Sequence, residues 1–218
     1  MPQHSTEKRR AADFAAHAIS FIVSPVILPI ATTAILLWLL GANRSQTLAA
    51  LAYTGFAFCI VPLAYILWMV SNGKATSLDV PNRNERTEPL TVTILAGLVG
   101  LFIYLQAESA IDLVGILAIT LVANLVFILV INTFWKISVH AMAVGGMLGV
   151  VVYMIGPAFG LANLIETWLV AILIILVPLV MWARLQLRVH TPAQVTAGAA
   201  LGFVGQWAGF YWATRMVF

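Results

Sequence analysis

Charge is what this sequence has least of. Lys, Arg, Asp and Glu make up 9% of its 218 residues, where a water-soluble domain carries roughly a quarter. A deficit that deep excludes an ordinary soluble fold. Cysteine is nearly absent as well: Cys59 is the only one, and it lies inside an apolar stretch. An internal disulfide, a CxxC redox pair and a thiolate metal site are therefore all excluded. GxGxxG, P-loop, GxSxG and HExxH patterns are missing, and no repeat or Ser/Gly/Pro-rich linker divides the chain. Residues 1–218 read as a single integral membrane domain, with 1–17 as a polar N-terminal tail.

What is present is apolar sequence, 62% of the chain. Since about 20 apolar residues cross a hydrocarbon core, the pattern predicts an all-α, polytopic transmembrane helical bundle of about six or seven spans. They fall near 18–40, 47–70, 90–106, 112–134, 138–159, 164–182 and 193–216. The first is longer than a signal-peptide core and lacks a convincing cleavage site, so it is expected to remain as an anchor. Asn124, Asn132 and Gln206 within spans, and Glu108, Asp112 and Glu166 near span ends, are read as interhelical hydrogen bonds and interfacial groups.

The formal charge of +3 does not indicate nucleic acid, because the cations sit between lipid-length spans and form no stripe among aromatics. With seven spans, Lys8, Arg9, Arg10, Lys74, Arg83, Arg86, Lys136, Arg184 and Arg188 share the N-terminal face. Only Arg44 and Arg215 fall opposite. The positive-inside rule then makes the crowded face cytoplasmic, with the C-terminus outside.

Three segments on that face combine cations with the start of a helix: DVPNRNERTEP from Asp79 to Pro89, WKISVH from Trp135 to His140, and RLQLRVHTPAQ from Arg184 to Gln194. Helix starts carry unpaired N–H groups and partial positive charge, so three of them meeting beside arginines would hold an anion such as phosphate. Gly145, Gly146 and Gly149 on one span, and Gly198, Gly202 and Gly205 on another, have the small-residue spacing of closely packed membrane helices. Contact between those faces brings His140 and His190 to the same end. His4 and His17, in or beside the tail, are read as solvated.

These residues resemble the type 2 phosphatidic acid phosphatase superfamily, which includes vanadium haloperoxidases and undecaprenyl pyrophosphate phosphatases. Its third motif, an arginine, five residues, a histidine, three residues and an aspartate, is similar to Arg184, His190 and Gln194, followed by VTAGAALG. Its proline-serine-glycine-histidine motif resembles Ile137, Ser138, Val139 and His140. The first motif, a lysine followed after six residues by arginine-proline, is matched least: Arg86 precedes Pro89 at a distance, and Asp79 stands at the lysine position. The resemblance runs from about Lys74 to the C-terminus, so 74–218 is expected to be a phosphatase-like core.

The resemblance implies a membrane lipid phosphate phosphatase in a bacterial plasma membrane, acting on a phosphomonoester or pyrophosphate of a phosphatidate or polyprenyl lipid. His190 would form a phosphohistidine and His140 would protonate the leaving oxygen. Arg184, Arg86 and Ser138 would hold phosphate oxygens, with Arg83 taking over the missing lysine's role and Gln194 and Lys136 in support. It implies no metal and no cofactor. The expected partners are membrane lipids, with an anionic lipid phosphate as substrate and no nucleic acid. Gln194 supplies no negative charge where the family has aspartate, and Val139 replaces a glycine. The alternative is therefore a catalytically impaired member that binds or moves an anionic lipid.

Overall fold

A computed structural model describes the backbone of residues 2–107, 112–156 and 164–217, and the side chains of 9–106, 112–156 and 167–217. Its elements are α1 (Pro2–Ile22), α2 (Leu28–Leu39), α3 (Arg44–Gly55), α4 (Val61–Ser71), α5 (Thr87–Ala107), α6 (Leu113–Asn132), α7 (Val139–Ile155), α8 (Leu164–Gln186) and α9 (Pro192–Val217). A π-helical turn, Phe56–Ile60, joins α3 to α4, and a 3₁₀ turn, Asn84–Arg86, precedes α5. Among the described residues there is no strand, and the all-α class is as expected.

The helix starts are written locally. Asn43 and Gln46 cap α3 reciprocally, the Asp112 carboxylate accepts from Gly115 N–H at 2.8 Å to start α6, and Ser138 Oγ accepts from Ala141 N–H to start α7. Each supplies an oxygen to an otherwise unpaired backbone donor. Pro62, in the first turn of α4, lacks an N–H, and the π turn lies directly before it.

Among the described residues, four helical segments are long and apolar enough to cross a membrane: Arg44–Ser71, Asn84–Gln106, Leu113–Asn132 and Thr167–Gln186. Leu28–Leu39 and Val139–Ile155 are shorter apolar helices. The protein is thus an integral membrane helical bundle. The expected span 18–40 is interrupted, because Ser24-Pro25 ends α1 and the helix resumes only at Leu28. A residue before proline is driven out of the helical region, which a hydropathy window does not register. Residues 2–17, expected as a tail, are helical throughout.

Of the polar residues expected to form hydrogen bonds, Gln206, Asn132 and Asp112 do so, while Gln206 Nε2 is buried without a partner. Gln206 Oε1 accepts from Thr120 Oγ1 at 2.7 Å, Asn132 Nδ2 donates to the Arg83 carbonyl at 3.0 Å, and Tyr104 Oη donates to Asp112 at 2.7 Å. Glu108 and the side chain of Glu166 lie outside the described residues. Phe102, Phe127, Ile175 and Trp212 are exposed on the outer surface, as lipid-facing side chains are.

The bundle is organised around α7. Met142, Val150, Tyr153 and Met154 join a core with α3, α5, α6 and α9, while Val144, Met147 and Val151 join a second core with α1, α2 and α8. Its most extensive contact is with α9. A Cβ on Gly202 would strike the Met142 carbonyl, one on Gly145 the Ala199 carbonyl, and one on Gly149 would come within 2.5 Å of the Phe203 carbonyl. Only glycine permits this approach, and it is the close packing that the small-residue spacing predicts.

Candidate functional site

The three expected segments meet at one end of the bundle, held there by hydrogen bonds of backbone and side chains. Ser138 N–H donates to the Gln194 carbonyl at 3.2 Å, which ties the start of α7 to the start of α9. Just below, a Cβ on Gly198 would lie 2.5 Å from the Ser138 carbonyl. Arg86 adds the third segment: its Nε donates to the Val80 carbonyl at 2.8 Å and its Nη1 to the Ile137 carbonyl at 3.0 Å. Lys136 Nζ donates to the Val189 carbonyl at 2.6 Å, bracing the loop that carries His190.

Arg184 is the most deeply buried charge of the group. Among the described residues it is the largest fully buried side chain, at 0% exposure, and its Nη1 donates to Asp79 Oδ2 at 2.9 Å. Its Nε and Nη2 are buried without a hydrogen-bond partner. Those two donors lie on one edge of the guanidinium, in the fork geometry that matches two oxygens of a phosphate or carboxylate. Leaving a charged donor buried and unpaired costs upwards of about 1–3 kcal/mol, so such groups call for an explanation.

His140 and His190 are both buried, and the charges of Arg86 and Arg184 act on each of them. His140 Nε2 lies 3.9 Å from Asp79 Oδ1, and the ring has a backbone hydrogen bond with Ser20 of α1. His190 Nδ1 lies 3.1 Å from Gln194 Oε1. The same oxygen accepts from Thr191 N–H at 3.2 Å, which fixes it as the amide carbonyl. It can therefore only accept from the ring: Nδ1 carries the proton and Nε2 keeps its lone pair.

Burial lowers the His190 pKa to about 3, Arg86, Lys136 and Arg184 push it the same way, and the bond with Gln194 opposes them. The imidazole is neutral at physiological pH. Burial also lowers the Lys136 pKa, with Arg86 and Arg184 adding to the effect. For Asp79, burial raises the pKa, but Arg184, then His140 and the distant His17, lower it by more. It stays a carboxylate.

Of the residues expected here, His140, His190, Arg184, Arg86, Ser138, Gln194 and Lys136 lie together. Arg86 and Lys136 spend donors on backbone carbonyls, and Ser138 caps α7 while linking it to α9. Arg83 stands apart, with its Nη1 on the Thr133 carbonyl at 3.3 Å. Thr191 and Gln194 form the expected capping box. Two members were not legible beforehand. Asp79 was a lysine position holding the wrong sign, and it turns out to pair with Arg184. Residues 2–17 of α1 were expected as tail and the rest as the start of a span, and α1 packs on α8, with Gln186 Nε2 donating to Asp13 at 2.9 Å. Among the described residues no three His, Cys, Asp or Glu side chains converge as metal ligands.

One end of this membrane bundle thus carries two buried histidines and a buried arginine with one edge unpartnered. Residues 130–217 match the PAP2 superfamily, a family of phosphatase type, and the match supports the resemblance drawn from the motifs. The match takes in α7, α8 and α9 and with them both histidines and Arg184, but not the Asp79–Arg86 loop. Neither the curated proteins nor the solved structures compared with the chain give a match.

Proposed function

We propose that the protein is a lipid phosphate phosphatase that removes phosphate from a phosphomonoester or pyrophosphate headgroup, of phosphatidate or polyprenyl type, at the cytoplasmic surface of the membrane. The observation that carries the reading is the unpartnered Nε–Nη2 edge of buried Arg184, under the field of which both histidines lie. Two phosphate oxygens fit that edge. His190 Nε2 attacks phosphorus, and an N–P bond forms as the P–O bond to the lipid breaks. The departing oxygen keeps the electron pair and takes a proton from His140, which enters this step as the imidazolium and leaves it neutral. Water then attacks the phosphohistidine, its proton returns to His140, and the N–P electron pair returns to His190. The arginines meet the charge that gathers on the phosphoryl oxygens.

In purified protein, His190→Ala abolishes phosphate release from phosphatidate and polyprenyl phosphates; release unchanged from wild type refutes the assignment. A cysteine at Asn82, with Cys59 replaced, should be labelled only from the cytoplasmic side, and labelling only from outside reverses the orientation.

A second reading is supported by Gln194, which orients His190 but brings no charge to stabilise a cationic ring. In that case the site binds an anionic lipid without hydrolysis. Zero turnover across several lipid phosphates, with binding that disappears in Arg184→Ala, selects it.

A further inference from the structure

Arg86 and Arg184 are 6% and 0% exposed, and buried charges are costly unless countered. Among the described residues the only carboxylate paired with either is Asp79. It lies nearer the surface: its side chain is 36% exposed while that of Arg184 is wholly covered. The backbone beside it is strained to keep it there. Val80 sits at φ +41°, a region that β-branched residues avoid and that persists only where the surroundings impose it. Its carbonyl takes the Arg86 Nε bond. Asp79 thus faces Arg184 from α8, His140 from α7 and, at longer range, His17 from α1, and it is anchored through Val80 to Arg86.

An oxyanion on the Nε–Nη2 edge of Arg184 would share one guanidinium with this carboxylate. Two negative groups would then stand on a single cation. We propose that Asp79 is the resident counterion of the anion site: it stabilises the buried arginines when no anion is bound, and it sets the site's specificity by opposing a phosphoryl group in proportion to that group's negative charge. This rests on the reading of the site as one for phosphate. The consequence is a preference, relative to an all-cationic site, for a singly charged phosphoryl group over a dianion, together with ready release of inorganic phosphate.

The test uses the full chain in detergent, with inorganic phosphate at about pH 8, where it is close to dianionic, and dimethyl phosphate as a monoanion. Asp79→Asn should bind phosphate roughly tenfold more tightly and dimethyl phosphate roughly threefold, after discounting for the exposed side of the carboxylate. Asp79→Glu should stay near wild type. Without anion, Asp79→Asn should melt at a lower temperature and regain more of that loss with phosphate than wild type gains. If Asp79→Asn does not fold without anion, rescue by phosphate gives the same answer, and failure of phosphate to rescue it overturns the proposal. Binding that Arg184→Ala removes but Asp79→Asn leaves equal or weaker also overturns it. Absence of phosphate binding in wild type and all variants sinks the phosphate reading itself, and the proposal with it.

Discussion

Two regions bring residues to the same end of this bundle by opposite means. Between α7 and α9 backbone meets backbone, with Gly202 against the Met142 carbonyl and Gly145 against the Ala199 carbonyl, so the separation of the two helices is set by atoms that have no rotamers. Between α4 and α5 the chain is irregular, and side chains hold it: Arg86 on two carbonyls and Asp79 on Arg184. The first region carries both histidines and lies within the PAP2 match; the second lies outside it. A rigid seam constrains sequence tightly, because nearly any side chain at its glycines collides. A loop held by side chains is constrained only at the few pairs that hold it, such as Asp79 with Arg184.

The largest effect should come from the seam. Gly202→Leu drives a side chain into the Met142 carbonyl, where neither helix can yield, and should cost more than about 3 kcal/mol; loss of a monodisperse peak in size-exclusion chromatography and of cooperative melting would report it. A protein that melts like wild type would show that the seam is not what holds the histidines.

Next is the arginine edge. Arg184→Lys keeps the charge and loses the fork, and should weaken phosphate binding roughly tenfold to a hundredfold, the equivalent of about 1.5–3 kcal/mol for charged hydrogen bonds, measured by titration calorimetry. Gln194→Asp restores a negative partner to His190 Nδ1 and should raise both the His190 pKa and the turnover, by roughly tenfold or more. Histidine NMR and phosphate release test the two halves separately, and a raised pKa without faster release would leave the lipid-binding reading ahead.

Acid should affect the site through His190. Its folded pKa, about 3, is below its ordinary value near 6.5, so its stabilisation is complete above the ordinary value and drains away as pH falls toward the folded one. Asp79, also depressed, loses its contribution at lower pH still. Melting temperature should therefore decline on acidification from near neutrality, and less so in His190→Ala. The smallest effect is expected at Arg83: Arg83→Ala should alter phosphate release by less than about twofold, since its bond is with the Thr133 carbonyl and surface contacts of this kind contribute little.

The parts legible in the sequence were those with a local signature. Apolar length marked the helices, glycine spacing marked the α7–α9 contact, and the Arg184–His190–Gln194 spacing placed one nucleophile candidate on one helix start. The parts that were not legible depend on partners far away in the chain. Nothing near Asp79 says that its charge is matched by Arg184, 105 residues later. Nothing in the first residues says that Asp13 and Ser20 have partners on α8 and α7. The break at Ser24-Pro25 did have a signal, the proline, but a window that averages hydropathy smooths over it.

Lipid bilayers differ in thickness, and helices answer by tilting or sliding. Because α7 and α9 are interlocked through their main chains, they must answer as one beam. The separation of His140 from His190 is then insulated from membrane composition, and whatever the surrounding lipids change, they act around the pair and leave its spacing untouched.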